Sequence, residues 1–172
     1  MLNNIFGMQL SHQIGEAIVV ACNRTFAAIE AWRCWRGGKP VKNLSTEELR
    51  EFLSREDSEF VLVDVRGKCE RAVSRIPGSI TTEEYESNRQ RFLGKTIVPH
   101  CTVGGRSYLY ARRLAEAGID TRNYRDGILG WCRAEQPLET PDGEPTSKVH
   151  TYWRIFRVPY RYTFQSMPDK KY

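Results

Sequence analysis

Pro99-His100-Cys101-Thr102-Val103-Gly104-Gly105-Arg106-Ser107 is the stretch on which the reading of this chain turns. Thr96-Ile97-Val98-Pro99-His100 reads as a buried strand, with Pro99 supplying no ladder donor. Ser107 to Ala117 reads as a helix, with Leu109, Leu114 and Ala117 available for packing. A cysteine between a strand end and a helix N-terminus meets converging backbone N–H groups and the positive end of the helix dipole, and both stabilise an anionic sulfur. Gly104 and Gly105 let the backbone curl around that sulfur without Cβ clashes, and Arg106 adds a nearby positive charge. The alternative is an inert buried cysteine, which has little use for such a cradle.

Outward from this turn the chain alternates strands and helices. Phe60-Val61-Leu62-Val63-Asp64-Val65 is a short, mostly β-branched run typical of a buried parallel strand. Ser45-Thr46-Glu47-Glu48 is a capping box that opens a helix to about Leu53. Gly118 ends the helix after Cys101, and a strand near Thr121 to Tyr124 precedes the turn Asp126-Gly127. Strand, loop, helix, strand predicts an α/β fold: right-handed crossovers and a central parallel sheet flanked by helices on both faces. Residues 41–140 form this unit. Ahead of it, 1–38 is an amphipathic helical extension, with a helix from about Ser11 to Trp35 that sets Ile14, Ile18, Cys22, Ile29 and Trp32 against Glu16, Arg24, Glu30 and Arg33. Behind it, 141–172 is a linker, Pro141 to Pro145, and a basic aromatic tail.

Of the 172 residues 40% are hydrophobic and 27% charged, which excludes collagen-like and wholly disordered chains. No apolar run approaches the roughly 20 residues of a membrane span. Met1 to His12 has no basic region ahead of a hydrophobic core, which argues against a secretory signal. Five cysteines (22, 34, 69, 101 and 132) are odd in number and show no metal-ligand spacing. No metal or other cofactor is implied, and a reducing, cytoplasmic compartment is expected. The net charge of +5 sits in Lys148 to Tyr172, where six Lys/Arg face one acidic residue, so it does not describe a basic domain surface. The tail also holds seven of the chain's 19 aromatic residues, which are costly to leave in water. Folding back over the domain or the N-terminal helix therefore ranks above docking on a protein partner or a membrane surface, and contact with nucleic acid ranks last. The N-terminal helix, whose polar face is not strongly basic, reads as packing on the domain or on a second subunit.

The Cys101 turn resembles the active-site loop of single-domain rhodaneses, sulfurtransferases whose loop runs Cys-x-x-Gly-x-Arg; Cys101, Gly104 and Arg106 match. The likeness runs from about Asn43 to Trp131. It takes in Leu44-Ser45-Thr46-Glu47-Glu48-Leu49, Val63-Asp64-Val65-Arg66, Ile76-Pro77-Gly78-Ser79-Ile80 and Asp126-Gly127-Ile128-Leu129-Gly130-Trp131. Phosphatases and arsenate reductases of the related fold carry a loop one residue longer. The four residues between Cys101 and Arg106 make a smaller ring of amides, suited to one persulfide sulfur and cramped for a phosphoryl group.

The resemblance implies a rhodanese-like domain in which the Cys101 thiolate takes a sulfane sulfur from a small anionic donor such as thiosulfate and passes it to a thiol or cyanide acceptor. Thr102, Val103, Gly104, Gly105 and Arg106 would hold the persulfide and the donor, and Asp64 and Arg66 would order the neighbouring loops. Arg66 and Glu70 could pair across a helical turn. Thr102 departs from the family by standing where many thiosulfate-using members carry Arg or Lys; Ser74 and Arg75 replace a frequent Gly and His. His100 is disfavoured as a general base, because adjacent strand residues point to opposite faces. Cys69 and Cys132 read as ordinary cysteines, with Cys69 open as a second sulfur acceptor, and Trp131 as a core aromatic. The alternative function is a rhodanese-like binding or regulatory module using Cys101 as a redox sensor or sulfur carrier, with a protein partner at the N-terminal helix or the tail.

Overall fold

The computed structural model describes residues 2–54 and 59–166. The side chains of residues 2–13, 16, 22 and 23 lie outside the description, and with them the places expected for Glu16, Cys22 and the tail beyond residue 166. Five strands form one parallel sheet: β1 (Lys42–Leu44), β2 (Phe60–Asp64), β3 (Ile80–Thr81), β4 (Thr96–His100) and β5 (Arg122–Tyr124), in the order β1-β5-β4-β2-β3. Pro99 is kept inside β4, whose pairing with β5 is sparse around it: His100 opposite Tyr124 and a bridge from Ile97 to Thr121.

The apolar runs become central strands because their alternating side chains enter two cores. Leu62 and Val98 join Leu44 and Tyr124 on one face; Val61, Val63 and Ile97 point to the other. The first face is covered by α2 (Thr46–Leu53) and α6 (Gly127–Arg133) through Leu49, Ile128 and Trp131. The second is covered by α4 (Thr82–Ser87) and α5 (Gly105–Glu116) through Tyr85 and Leu114. The capping box of α2 is formed, with Glu48 N–H donating to the Ser45 hydroxyl and Ser45 N–H donating to the Glu48 carboxylate. In the chain the short α3 (Lys68–Arg71) follows β2 and precedes β3.

The N-terminal helix α1 (Leu2–Trp35) starts well before Ser11, and its expected apolar stripe does not carry the packing. Ile14, Ile29 and Trp32 are exposed. Contact with α5 is made instead by Phe26, whose ring lies 5.0 Å from that of Tyr108, and by Glu30. The Glu30 carboxylate accepts from the Tyr108 hydroxyl at 2.6 Å, from Val41 N–H at 2.6 Å and from Arg33 at 2.9 Å. Burial pushes the Glu30 carboxyl up, but these donors outweigh it and hold the group below its usual range. A stripe drawn from hydrophobicity alone cannot register a polar anchor of this kind.

The segment expected as a linker is a hairpin turn between β6 (Leu138–Glu139) and β7 (Pro145–Thr146), which pair antiparallel. Beyond it, β8 (Lys148–His150) pairs in parallel with β9 (Thr163–Gln165). The tail folds back on the domain. Val149 and Tyr162 belong to the first core, and the Tyr162 hydroxyl donates to the Gln136 carbonyl at 2.5 Å. The same segment passes α1 so closely that a Cβ on Gly15 would come within 2.7 Å of the Ile155 carbonyl oxygen.

The β2–β4 register sets Asp64 opposite His100 at the C-terminal edge of the sheet, both fully buried. Arg66 donates to the Asp64 carboxylate at 3.0 and 2.7 Å and to the Ser74 carbonyl at 2.6 Å. Burial pushes the Asp64 carboxyl up, but His100 in its protonated form at acid pH, together with the charge and hydrogen bonds of Arg66, outweighs it and holds the group at about 2. Burial pushes His100 down from 6.5 to about 4, so the imidazole is neutral at neutral pH.

Two measurements follow from this packing. His100 binds its proton more readily in the unfolded chain, so its contribution to stability is complete above pH 6.5 and is lost as pH falls from there towards 4. Urea unfolding of the parent should show a loss of about 2 kcal/mol between about pH 8 and about pH 5, and His100→Asn should flatten that dependence; identical pH profiles for the two chains would contradict it. Tyr162→Ala, which removes a buried ring and its hydrogen bond, should cost about 3 kcal/mol in the same assay, whereas a cost below about 0.5 kcal/mol would detach the tail from the core.

Candidate active site

Cys101 leaves the end of β4 at the carboxyl edge of the sheet, where α/β folds place their chemistry, and is 1% exposed. The chain turns through Thr102, Val103 and Gly104 and enters α5 at Gly105, slightly earlier than the sequence suggests. Gly104 has φ +86° and lies against the backbone of Arg125, where a Cβ would come within 2.1 Å of the carbonyl oxygen. The turn aims the Gly104 N–H at the Cys101 sulfur, at 3.2 Å, and the Ser107 hydroxyl reaches the same sulfur at 3.6 Å.

The opposite side of the turn is held by α6. Ile128 N–H donates to the Cys101 carbonyl at 2.9 Å and Leu129 N–H to the Thr102 carbonyl at 3.3 Å. Gly127, at φ +61°, permits this approach, since a Cβ there would meet the Thr102 carbonyl oxygen at 2.4 Å. Asp126 fastens the turn to α2 by accepting from the Thr46 N–H and hydroxyl at 2.9 and 3.0 Å. The Asp126-Gly127 pair, expected from sequence as a turn, is thus the floor of the site.

Thr102 and Arg106 both turn to one carboxylate, that of Glu70 on α3. It accepts from Arg106 Nη1 and Nη2 at 2.6 and 2.8 Å, from the Thr102 hydroxyl at 2.8 Å and from the Gly67 N–H at 2.9 Å. Burial pushes the Glu70 carboxyl up, but Arg106, the Gly67 N–H and Thr102 outweigh it and keep the group ionised below its usual range. Burial likewise works against the Arg106 charge, and Glu70 more than offsets it. The Arg66–Glu70 pair expected from sequence does not form, because Asp64 and the Ser74 carbonyl take the Arg66 guanidinium. From the tail, the Tyr152 ring lies over the Arg106 guanidinium at 5.0 Å. Tyr152 itself has φ +68°, and its N–H donates to His150 Nδ1 at 3.1 Å. Burial lowers His150 from its ordinary value, which favours the neutral ring that can accept this bond.

Thr102, Gly104 and Arg106 therefore gather with Cys101 in one turn and Val103 is half-buried on it, while Asp64 at the end of β2 pairs with Arg66 beside the buried His100, the residue before Cys101. Sequence reasoning missed Glu70 as the partner of Arg106; its only local signal is its third position in a short helix, with its carboxylate on the Gly67 N–H. Ser107, His150 and Tyr152 gave no signal, since their roles depend on the turn and on where the tail returns. Cys132 is buried, and burial pushes its thiol up to about 12, which suits a core cysteine; Cys69 is exposed on α3. Among the described residues no group of His, Cys, Asp or Glu is placed to hold a metal ion, and no helix is long and apolar enough to cross a membrane. A cavity of about 690 Å³ beside α2 is lined by Glu47, Arg50, Pro77 and Trp131 and involves none of the turn.

Comparison with known proteins places this geometry. The model of the rhodanese-like domain matches residues 45–134. The structure of a thiosulfate sulfurtransferase from Pseudomonas aeruginosa is 25% identical at a TM-score of 0.54, the match covering 69% of this chain and 23% of that one. A Bacillus halodurans protein is similar at 18% identity and TM-score 0.53, covering 66% of this chain and 86% of that one. A Rhodopseudomonas palustris protein, described as of unknown function and a possible tyrosine phosphatase, is similar at 23% and 0.50, covering 72% and 92%. The latter two likenesses concern the fold alone, and no curated protein gives a significant match in sequence. The family model spans more than half of the chain and contains the whole Cys101 turn, so the chain belongs to the rhodanese-like domain family.

Proposed function

We propose that this protein is a sulfurtransferase that works through a persulfide on Cys101. The observation that carries the reading is the sulfur's own environment: the thiol sits at the mouth of α5 with the Gly104 N–H at 3.2 Å and the Ser107 hydroxyl at 3.6 Å. Donors fixed by backbone geometry stabilise negative charge on sulfur without reorganising during the reaction. The Cys101 thiolate attacks a sulfane sulfur, the bond from that sulfur to the rest of the donor breaks, and the electron pair leaves with the donor remnant. A nucleophilic acceptor then attacks the outer sulfur and regenerates the thiolate. The described cysteines are all unpaired, in keeping with work in a reducing, cytoplasmic compartment. The likeness to part of a named thiosulfate sulfurtransferase supports the same chemistry.

Ring size favours sulfur over phosphorus. Only four residues separate Cys101 from Arg106, and the Arg106 guanidinium is bonded to Glu70 instead of being aimed at an incoming phosphoryl group.

Intact-protein mass spectrometry after exposure to a sulfane donor should show one added sulfur on the parent chain, mapped to the Cys101 peptide and absent in Cys101→Ser. Persistence of a cyanide-labile sulfur in Cys101→Ser would move the chemistry to another thiol. Aryl phosphate hydrolysis should be absent, and hydrolysis that disappears on mutating Cys101 would overturn the preference for sulfur.

A further inference from the structure

We infer that the preferred sulfur donor is an alkyl hydropersulfide and not thiosulfate, and that Glu70 and Tyr152 set this preference; the inference rests on the sulfur-transfer reading above. Its basis is the charge present where the donor must arrive. The attacking Cys101 thiolate contributes one negative charge. Arg106 is the loop's cation, but both of its terminal nitrogens are bonded to Glu70, which is 1% exposed and ionised. The pair cancels.

The cations described beside the turn do not take over. Arg66 is cancelled by Asp64, and His100 and His150 are held towards neutrality by burial. Arg125, whose carbonyl faces Gly104, has its guanidinium 3.5 Å from Asp126. The basic side chains beside Asp64 line a cleft that includes none of the Cys101 turn, in which Arg71 pairs with Glu83 and Arg75 with Glu139, and Lys68 is exposed. Thr102, where a second cation could have stood, is 2% exposed and spends its hydroxyl on Glu70 and Arg106.

A dianion such as thiosulfate thus approaches a thiolate with only partial backbone charges to offset the repulsion. An alkyl hydropersulfide carries at most one negative charge and can present a protonated outer sulfur. The step balances without a further reagent. The Cys101 thiolate attacks the outer sulfur of R–S–SH, the new Cys101 S–S bond forms, the S–S bond between the donor's inner and outer sulfur breaks, and the thiolate R–S⁻ departs. Tyr152 adds to the bias by covering one face of the Arg106 guanidinium, which is otherwise partly open to solvent, with 41% of its side chain exposed. Holding a tyrosine at φ +68° costs free energy that the stacked ring and the His150 bond offset.

The test compares cysteine hydropersulfide with thiosulfate at equal concentration on the reduced, full chain, following added sulfur on the Cys101 peptide over time. Hydropersulfide should load Cys101 about tenfold faster or more, and thiosulfate loading should speed up with added salt, because screening weakens a repulsion. Glu70→Gln, and separately Tyr152→Ala, should narrow the gap by raising the thiosulfate rate about tenfold and about threefold respectively. Thiosulfate loading that matches hydropersulfide, or that slows with salt in the parent, would overturn the donor assignment while leaving sulfur transfer standing. No sulfur on Cys101 from either donor would instead overturn the sulfurtransferase reading itself.

Discussion

Two close backbone approaches shape the site. Gly104 presses on the Arg125 carbonyl from one side of the turn, and Gly127 presses on the Thr102 carbonyl from the other; any side chain at either place would collide with backbone. Between them the chain is forced to double back at the end of β4, which turns the Gly104 N–H onto the Cys101 sulfur and leaves the Cys101 and Thr102 carbonyls to the amides of α6. The donors that would stabilise a sulfur anion and the donors that hold the turn are therefore different amides. Loading the sulfur need not compete with holding the loop.

The flanks are structural parts of this site. Phe26 of α1 lies where a Cβ on Gly105 would meet its ring at 3.1 Å, Glu30 locks α1 to α5, and the returning tail sets Tyr152 over Arg106. Both flanks meet each other near Gly15 and Ile155. Because α5 begins at the turn and α1 packs on its first turn at Gly105 and Tyr108, its N-terminal end is held with respect to Cys101 before any substrate arrives. That fixity is what lets backbone dipoles act on a developing charge without an added reorganisation cost.

Much of the fold was legible because its signals are local. The β-branched run at Phe60–Val65, the Ser45–Glu48 capping box and the Gly118 stop are each encoded in a few adjacent residues, and each stands where it was expected. The position of Cys101 between strand and helix was legible for the same reason. What escaped depends on distant segments meeting. Glu70 lies far from Arg106 in sequence, so nothing local distinguishes it from the partner expected for Arg66. The α1 contact was misplaced because Glu30, a charged residue counted on the solvent side, is the anchor, while Trp32 on the apolar stripe stays in solvent. The tail's return was expected from its aromatic content, but neither the β8–β9 pairing nor Tyr152's place over the site could be read from composition.

The central claim is that Cys101 carries sulfur because the Gly104 turn presents a backbone donor to it. Gly104→Ala tests this most directly, since it alters the turn and no side chain of the site. In a Gly104→Ala chain that still unfolds cooperatively, the rate at which the Cys101 peptide gains a sulfur from a sulfane donor should fall about a hundredfold, the usual cost of losing one well-placed anion donor. A folded Gly104→Ala chain that loads sulfur at the parent's rate would contradict the account.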